Sequence, residues 1–150
     1  MKMRCLMNVL NAESSLLSGI DFTGTLAGMA YVGVLCGPLS GTVIKHFSTS
    51  LHPELKTAVT LAHEIGHLLG LVHDTPSCAC ADPSAKCIMD PDITTNPTIF
   101  SSCSKTDLQR LLHGGMGHCL HDLPATVYGG PVCGNGIRET GEVCDCGDVV

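Results

Sequence analysis

The sequence predicts an α/β fold of the α+β kind: a small sheet, one long helix carrying a chemical motif, and a cysteine-rich C-terminal part. Three observations predict it. Two β-favouring stretches lie at 27–36, interrupted by glycine, and at 42–47, β-branched at its start. A run beginning at Pro53 places apolar residues at helical spacing up to Gly70. Ten cysteines occur among 150 residues, most of them after residue 77. The chain is 44% hydrophobic and 15% charged, which excludes a disordered chain and suits one packed domain plus a fragment of a second.

Residues 1–20 carry weak pattern. The apolar run at 5–10 is too short for a signal peptide, and no small-residue cleavage site follows it. Residues 22–44 hold no charge, but glycines and Pro38 interrupt them, so they read as buried strands and not as a membrane span. Strands are expected at 27–36 and 42–47, with a turn at 37–41 between them. A helix is expected from Pro53, whose missing N–H costs nothing in a first turn. Glu54 adds charge suited to that end, and Gly70 provides the stop. Residues 74–102 read as mainly irregular. A second helix is expected at 105–113, capped by Ser104, with Asp107 in its first turn and Leu108, Leu111 and Leu112 on its apolar face. Residues 124–132 read as a linker. From Cys133 the composition shifts to Gly, Glu and Cys.

Net charge is −6 and aromatics are 3%, so there is neither a basic patch nor a stacking platform for nucleic acid. The cysteines form no C-x-x-C pair; the close pairs are Cys78/Cys80 and Cys144/Cys146. That pattern favours disulfides in an oxidising compartment over a thiolate metal site. Asn96-Pro97-Thr98 is no glycosylation acceptor because proline blocks it.

The helix carries His63-Glu64-Ile65-Gly66-His67, followed by Gly70, His73 and Asp74. Positions i and i+4 lie on one helical face, so His63 and His67 aim two imidazoles at one point. Gly70 lets the chain turn, and His73 can return as a third ligand. Three neutral histidines leave one tetrahedral zinc position open, as catalytic zinc requires. A structural zinc site usually closes with four protein ligands. Glu64 is not needed as a ligand and is placed to act as a base. Three His, one Glu and one Gly at these positions arise by chance from this composition in fewer than roughly one chain in 10,000. His113, His118 and His121 cluster near Cys119; they read as a solvated surface in preference to a second metal site.

The run HEIGHLLGLVHD resembles the zinc motif of the metzincins, and the aspartate after the third histidine resembles the reprolysin (adamalysin/ADAM) branch. Cys87-Ile88-Met89 is similar to that branch's Met-turn. Residues 21–36 resemble the segment leading into the cleft-edge strand, and residues 100–120 resemble the end of the protease domain. Residues 133–147 resemble the opening of a disintegrin domain.

The resemblance implies a partial protease domain at 21–123, a truncated metzincin-type fold, after an atypical segment at 1–20. It implies zinc on His63, His67 and His73, Glu64 as general base to a zinc-bound water, and Met89 beneath the ligands. It implies the disulfides Cys36–Cys119, Cys78–Cys103 and Cys80–Cys87, leaving Cys5, Cys133, Cys144 and Cys146 without partners in that pattern. Residues 133–150 would open a disintegrin domain. Calcium would be held there by Asn135, Glu139, Glu142 and Asp145, with backbone carbonyls of Val132 and Ile137. The resemblance further implies a protein or peptide substrate, extended along an edge strand at 26–32. It implies an extracellular or cell-surface setting for the parent protein, to which a membrane anchor would belong. Leu68 departs from the polar residue often found after the second histidine.

The alternative to a zinc endopeptidase is a non-catalytic adhesion or interaction protein, or an inactive truncated product. The short section before Asp21 predicts an open edge on the strand at 42–47, and poor folding or weak activity of the isolated chain.

Overall fold

The computed structural model describes residues 13–47, 51–81, 86–92 and 97–121. The expected linker at 124–132, the disintegrin opening at 133–150 and the calcium residues Val132, Asn135, Ile137, Glu139, Glu142 and Asp145 lie outside the described residues. So do residues 1–12 and the four cysteines left over from the disulfide pattern.

Strand β1 spans Ser14–Ser18, β2 spans Gly28–Ala30 and β3 spans Gly41–Lys45. Their order in the sheet is β1-β3-β2, with β1 parallel and β2 antiparallel to β3. The β-branched residues of β3 alternate as a half-covered strand should. Thr42 and Ile44 are buried, while Val43 faces outward beside Leu16 and Met29. Helix α1, Pro53–Leu68, packs against β2 and β3. Helix α2 spans Ser102–His113, and a 3-10 turn follows at His118–His121.

Three expectations need correction. The strand at 42–47 has no open edge, because β1 occupies the side away from β2. The strand expected at 27–36 ends at Ala30. Beyond it, Gly33 and Cys36 take left-handed backbone angles, φ 72° and 66°, which end strand pairing. The amides of Gly33 and Leu35 instead donate to the carbonyls of His67 and Leu68, at 2.8 and 3.1 Å. Those carbonyls belong to the last turn of α1 and have no partner within the helix. Lastly, α2 starts before 105, because Ser101 caps it in place of Ser104. The Ser101 hydroxyl accepts the Ser104 amide at 3.0 Å.

Helix α1 starts with Pro53 in its first turn and Glu54 beside it. Its end is a Schellman turn: Leu71 N–H donates to Gly66 O at 2.9 Å and Gly70 N–H to His67 O at 2.8 Å. Gly70 sits at φ 100°, where a side chain is disfavoured. This turn reverses the chain and sends Leu71 into the core. Leu71, Ile88 and Met89 form that core, with Ala62, Phe100, Leu108 and Leu111 packed on it.

Disulfides join Cys36 to Cys119, Cys78 to Cys103 and Cys80 to Cys87. No helix among the described residues is long and apolar enough to cross a membrane.

Candidate metal centre

Helical spacing puts His63 and His67 one turn apart on α1, and the Schellman turn brings His73 back across them. Nε2 of His73 lies 3.2 Å from Nε2 of His63 and 3.2 Å from Nε2 of His67. The three candidate ligand atoms all lie within 4.8 Å of one another.

The far side of two rings is fixed by backbone. Nδ1 of His63 donates to the Ile88 carbonyl at 2.6 Å, and Nδ1 of His67 donates to the Leu71 carbonyl at 2.8 Å. A proton on each Nδ1 leaves each Nε2 with a lone pair facing the centre. His73 can donate one proton to one of them and no more. A bound cation would resolve the remaining repulsion. Zinc–nitrogen bonds of about 2.0–2.1 Å at tetrahedral angles separate ligand nitrogens by about 3.3–3.4 Å. The observed 3.2 Å separations fit that set. Burial holds the His63 and His67 pKa values below the ordinary histidine value, against the opposing pull of their carbonyl partners. The net lowering favours the neutral ring that a metal needs.

Glu64 follows His63 on α1 and is 5% exposed. Burial pushes its carboxyl up to about 7 from an ordinary 4.5, so it can exchange a proton near neutrality. Met89 is fully buried. A Cβ on Gly66 would come within 2.5 Å of the Met89 sulfur and 3.3 Å of its methyl. Glycine at the centre of the motif thus lets the methionine press against the helix backbone between His63 and His67.

Asp74 ties the segment carrying His73 to the rest. Its amide donates to Met89 O at 2.8 Å. Its carboxylate accepts the hydroxyls of Ser101 and Ser104 at 2.5 and 3.3 Å, beside the N-terminus of α2. An anion is favoured at that end of a helix. The sequence singled out neither serine for this role, nor the carbonyls of Leu71 and Ile88. Serines are common caps, and a carbonyl leaves no trace in residue type. Among the described residues His113, His118 and His121 form no metal-binding group.

Three imidazoles on a helix and its return turn, two of them with their outer nitrogens held by backbone, form a group that could hold a metal ion on a mixed α/β scaffold of metzincin type. The chain belongs to the reprolysin (M12B) family of zinc metalloproteases, whose family model matches residues 2–124. It is 43% identical over 155 aligned positions to disintegrin and metalloproteinase domain-containing protein 12 of Mus musculus, covering 98% of this chain and 17% of that protein. It is 40% identical to zinc metalloproteinase-disintegrin-like atragin of Naja atra, over 91% of this chain and 22% of the relative. For zinc metalloproteinase-disintegrin-like atrase-A, also of Naja atra, identity is 39%, over 93% of this chain and 23% of the relative. The chain therefore spans less than a quarter of the length of each of these relatives.

Proposed function

We propose that this chain is a zinc endopeptidase that hydrolyses a protein or peptide bond, with His63, His67 and His73 as ligands and Glu64 as general base. The observation that carries the reading is the convergence of three Nε2 atoms beside a buried carboxyl that joins none of the ring contacts. When bound, zinc lowers the pKa of a water to about 7 and polarises a carbonyl. Ile88 and Leu71 hold the His63 and His67 rings in one tautomer. Glu64 accepts a proton from the attacking water and delivers it to the leaving amine. Met89 and Asp74 fix the return loop beneath His73.

The extended substrate would pair with the outer edge of β2 by strand addition. Leu26, Met29, Tyr31 and Val32 are exposed there, so apolar substrate side chains find contacts. Membership of the family and three disulfides support an extracellular or cell-surface setting. The relatives' names pair a metalloproteinase with a disintegrin, and we extend that to residues 133–150 with their calcium ligands.

The test is metal analysis and hydrolysis of a generic peptide by the full chain. Expected are one zinc per chain, its loss in His67→Ala, and retained zinc in Glu64→Gln with turnover reduced about 10²–10⁴-fold. Near wild-type turnover by Glu64→Gln would remove Glu64 from the mechanism.

A further inference from the structure

Successive residues of a strand face opposite sides of the sheet. Gly28 pairs with Ile44, and Ala30 with Thr42, the two buried residues of β3. Gly28 therefore turns toward α1. A Cβ at Gly28 would stand 2.6 Å from Glu64 Oε1, 2.9 Å from its Cγ and 3.0 Å from its Cδ. The backbone does not require glycine there, since Gly28 is not among the residues with positive φ. Space requires it: the Glu64 carboxyl lies against the bare Cα of the strand.

We propose that Gly28 is a positioning residue for Glu64, its missing side chain forming the slot between β2 and α1 that sets where the carboxyl stands. The wall of the slot is backbone, and that backbone is pinned. The Lys45 amide donates to the Ala27 carbonyl at 2.8 Å, next to the paired Gly28 and Ile44. The three atoms nearest to such a methyl all belong to one flexible side chain. A methyl at 28 therefore displaces the carboxyl and leaves helix, sheet and the three imidazoles in place. The strand that would receive the substrate is thereby also the wall that aims the base. The inference rests on the reading of Glu64 given above.

The experiment uses the full 150-residue chain and four variants: Gly28→Ala, Glu64→Ala, both together, and Gly19→Ala as a control. A Cβ at Gly19 meets nothing within 4 Å. Thermal unfolding should show Gly28→Ala lowering Tm by about 2–4 °C in the wild-type background. In the Glu64→Ala background the same change should have almost no effect, because the methyl enters vacated space. Zinc content should stay at one per chain throughout. Turnover by Gly28→Ala should fall about 10²-fold in kcat with KM held, the signature of a misplaced group acting on the reaction step. Gly19→Ala should match the wild type.

Equal Tm losses in both backgrounds would overturn the contact. An unchanged kcat in zinc-loaded Gly28→Ala would overturn the positioning role. If the wild-type chain itself hydrolyses nothing, the peptidase reading fails, and the Tm cycle alone decides whether Gly28 sets the place of Glu64.

Discussion

The helix-and-loop side of the molecule and the β1 side of its sheet are built on opposite terms. Around the metal centre, Leu68 and Met89 are 0% exposed, and the turns are closed by specific amide–carbonyl pairs. On β1, Leu16 and Leu17 are 50% and 53% exposed although they point to opposite faces. Strand β1 is held through its ladder to β3, and its two leucines stay half exposed. The ladder organises it; burial does not. The centre therefore draws its rigidity from the loop segments wrapped beneath α1, and β1 completes the sheet without contributing much to the site.

The sharpest way to break that contrast is to cut the covalent tie on the helix side. Cys36 and Cys119 are 83 residues apart, and Cys80 and Cys87 are 7 apart. Chain entropy assigns about 4.5 kcal/mol to the first closure and about 2.5 kcal/mol to the second. Replacing Cys36 and Cys119 by serine should lower stability more than replacing Cys80 and Cys87, as read from denaturant midpoints.

Next comes Met89→Ala, which empties a filled site under the ligands. A loss of about 3 kcal/mol is expected, together with weaker zinc retention in competition with a chelator. If the loss falls below about 1 kcal/mol, the loop does not carry the centre as described.

The pH dependence of the zinc-free chain sharpens the comparison further. The folded-state pKa of Glu64 is raised from 4.5 to about 7. Its protonated form is thus compatible with burial, and stability present below pH 4.5 is lost as pH rises toward about 7. His63 is shifted the other way, below 6.5, so it contributes stability above 6.5 that is lost as pH falls below that value. Glu64→Gln removes the first slope. The variant should match the wild type near pH 4.5 and exceed it by about 1–2 kcal/mol above pH 7. Thermal unfolding of both chains across pH measures this. An equal profile for the two would mean that the buried carboxyl carries no such cost.

The smallest effect belongs to β1. Leu17→Ala should change stability by less than about 0.5 kcal/mol, despite removing a large apolar side chain. A loss comparable to that of Met89→Ala would show that β1 is packed as tightly as the centre.

The sequence made the histidine cluster legible because its three members lie within eleven residues, on a helix and the turn after it, whose period and terminator are written in residue type. The disulfide pairs followed from family resemblance, since cysteine spacing alone leaves many pairings open. Strand β1 was not legible: Ser-Ser-Leu-Leu-Ser has no alternation, and its strand form comes from pairing with β3. The early end of β2 was missed for the converse reason. Residues 31–36 look β-favouring, but Gly33 and Leu35 spend their amides on the end of α1. The cap of α2 falls on Ser101, whose hydroxyl donates to Asp74 while accepting the Ser104 amide. Tertiary contacts chose between two equivalent serines.

The long disulfide has one more consequence. Cys36–Cys119 closes a ring that contains all three histidines and both other disulfides. On the peptidase reading proposed above, copies of the chain would cut one another, and a single backbone cut anywhere inside that ring would release no fragment. The nicked molecule would travel as one band on a gel without reductant and as two with it. Self-digestion would thus remain hidden until the bridge is reduced.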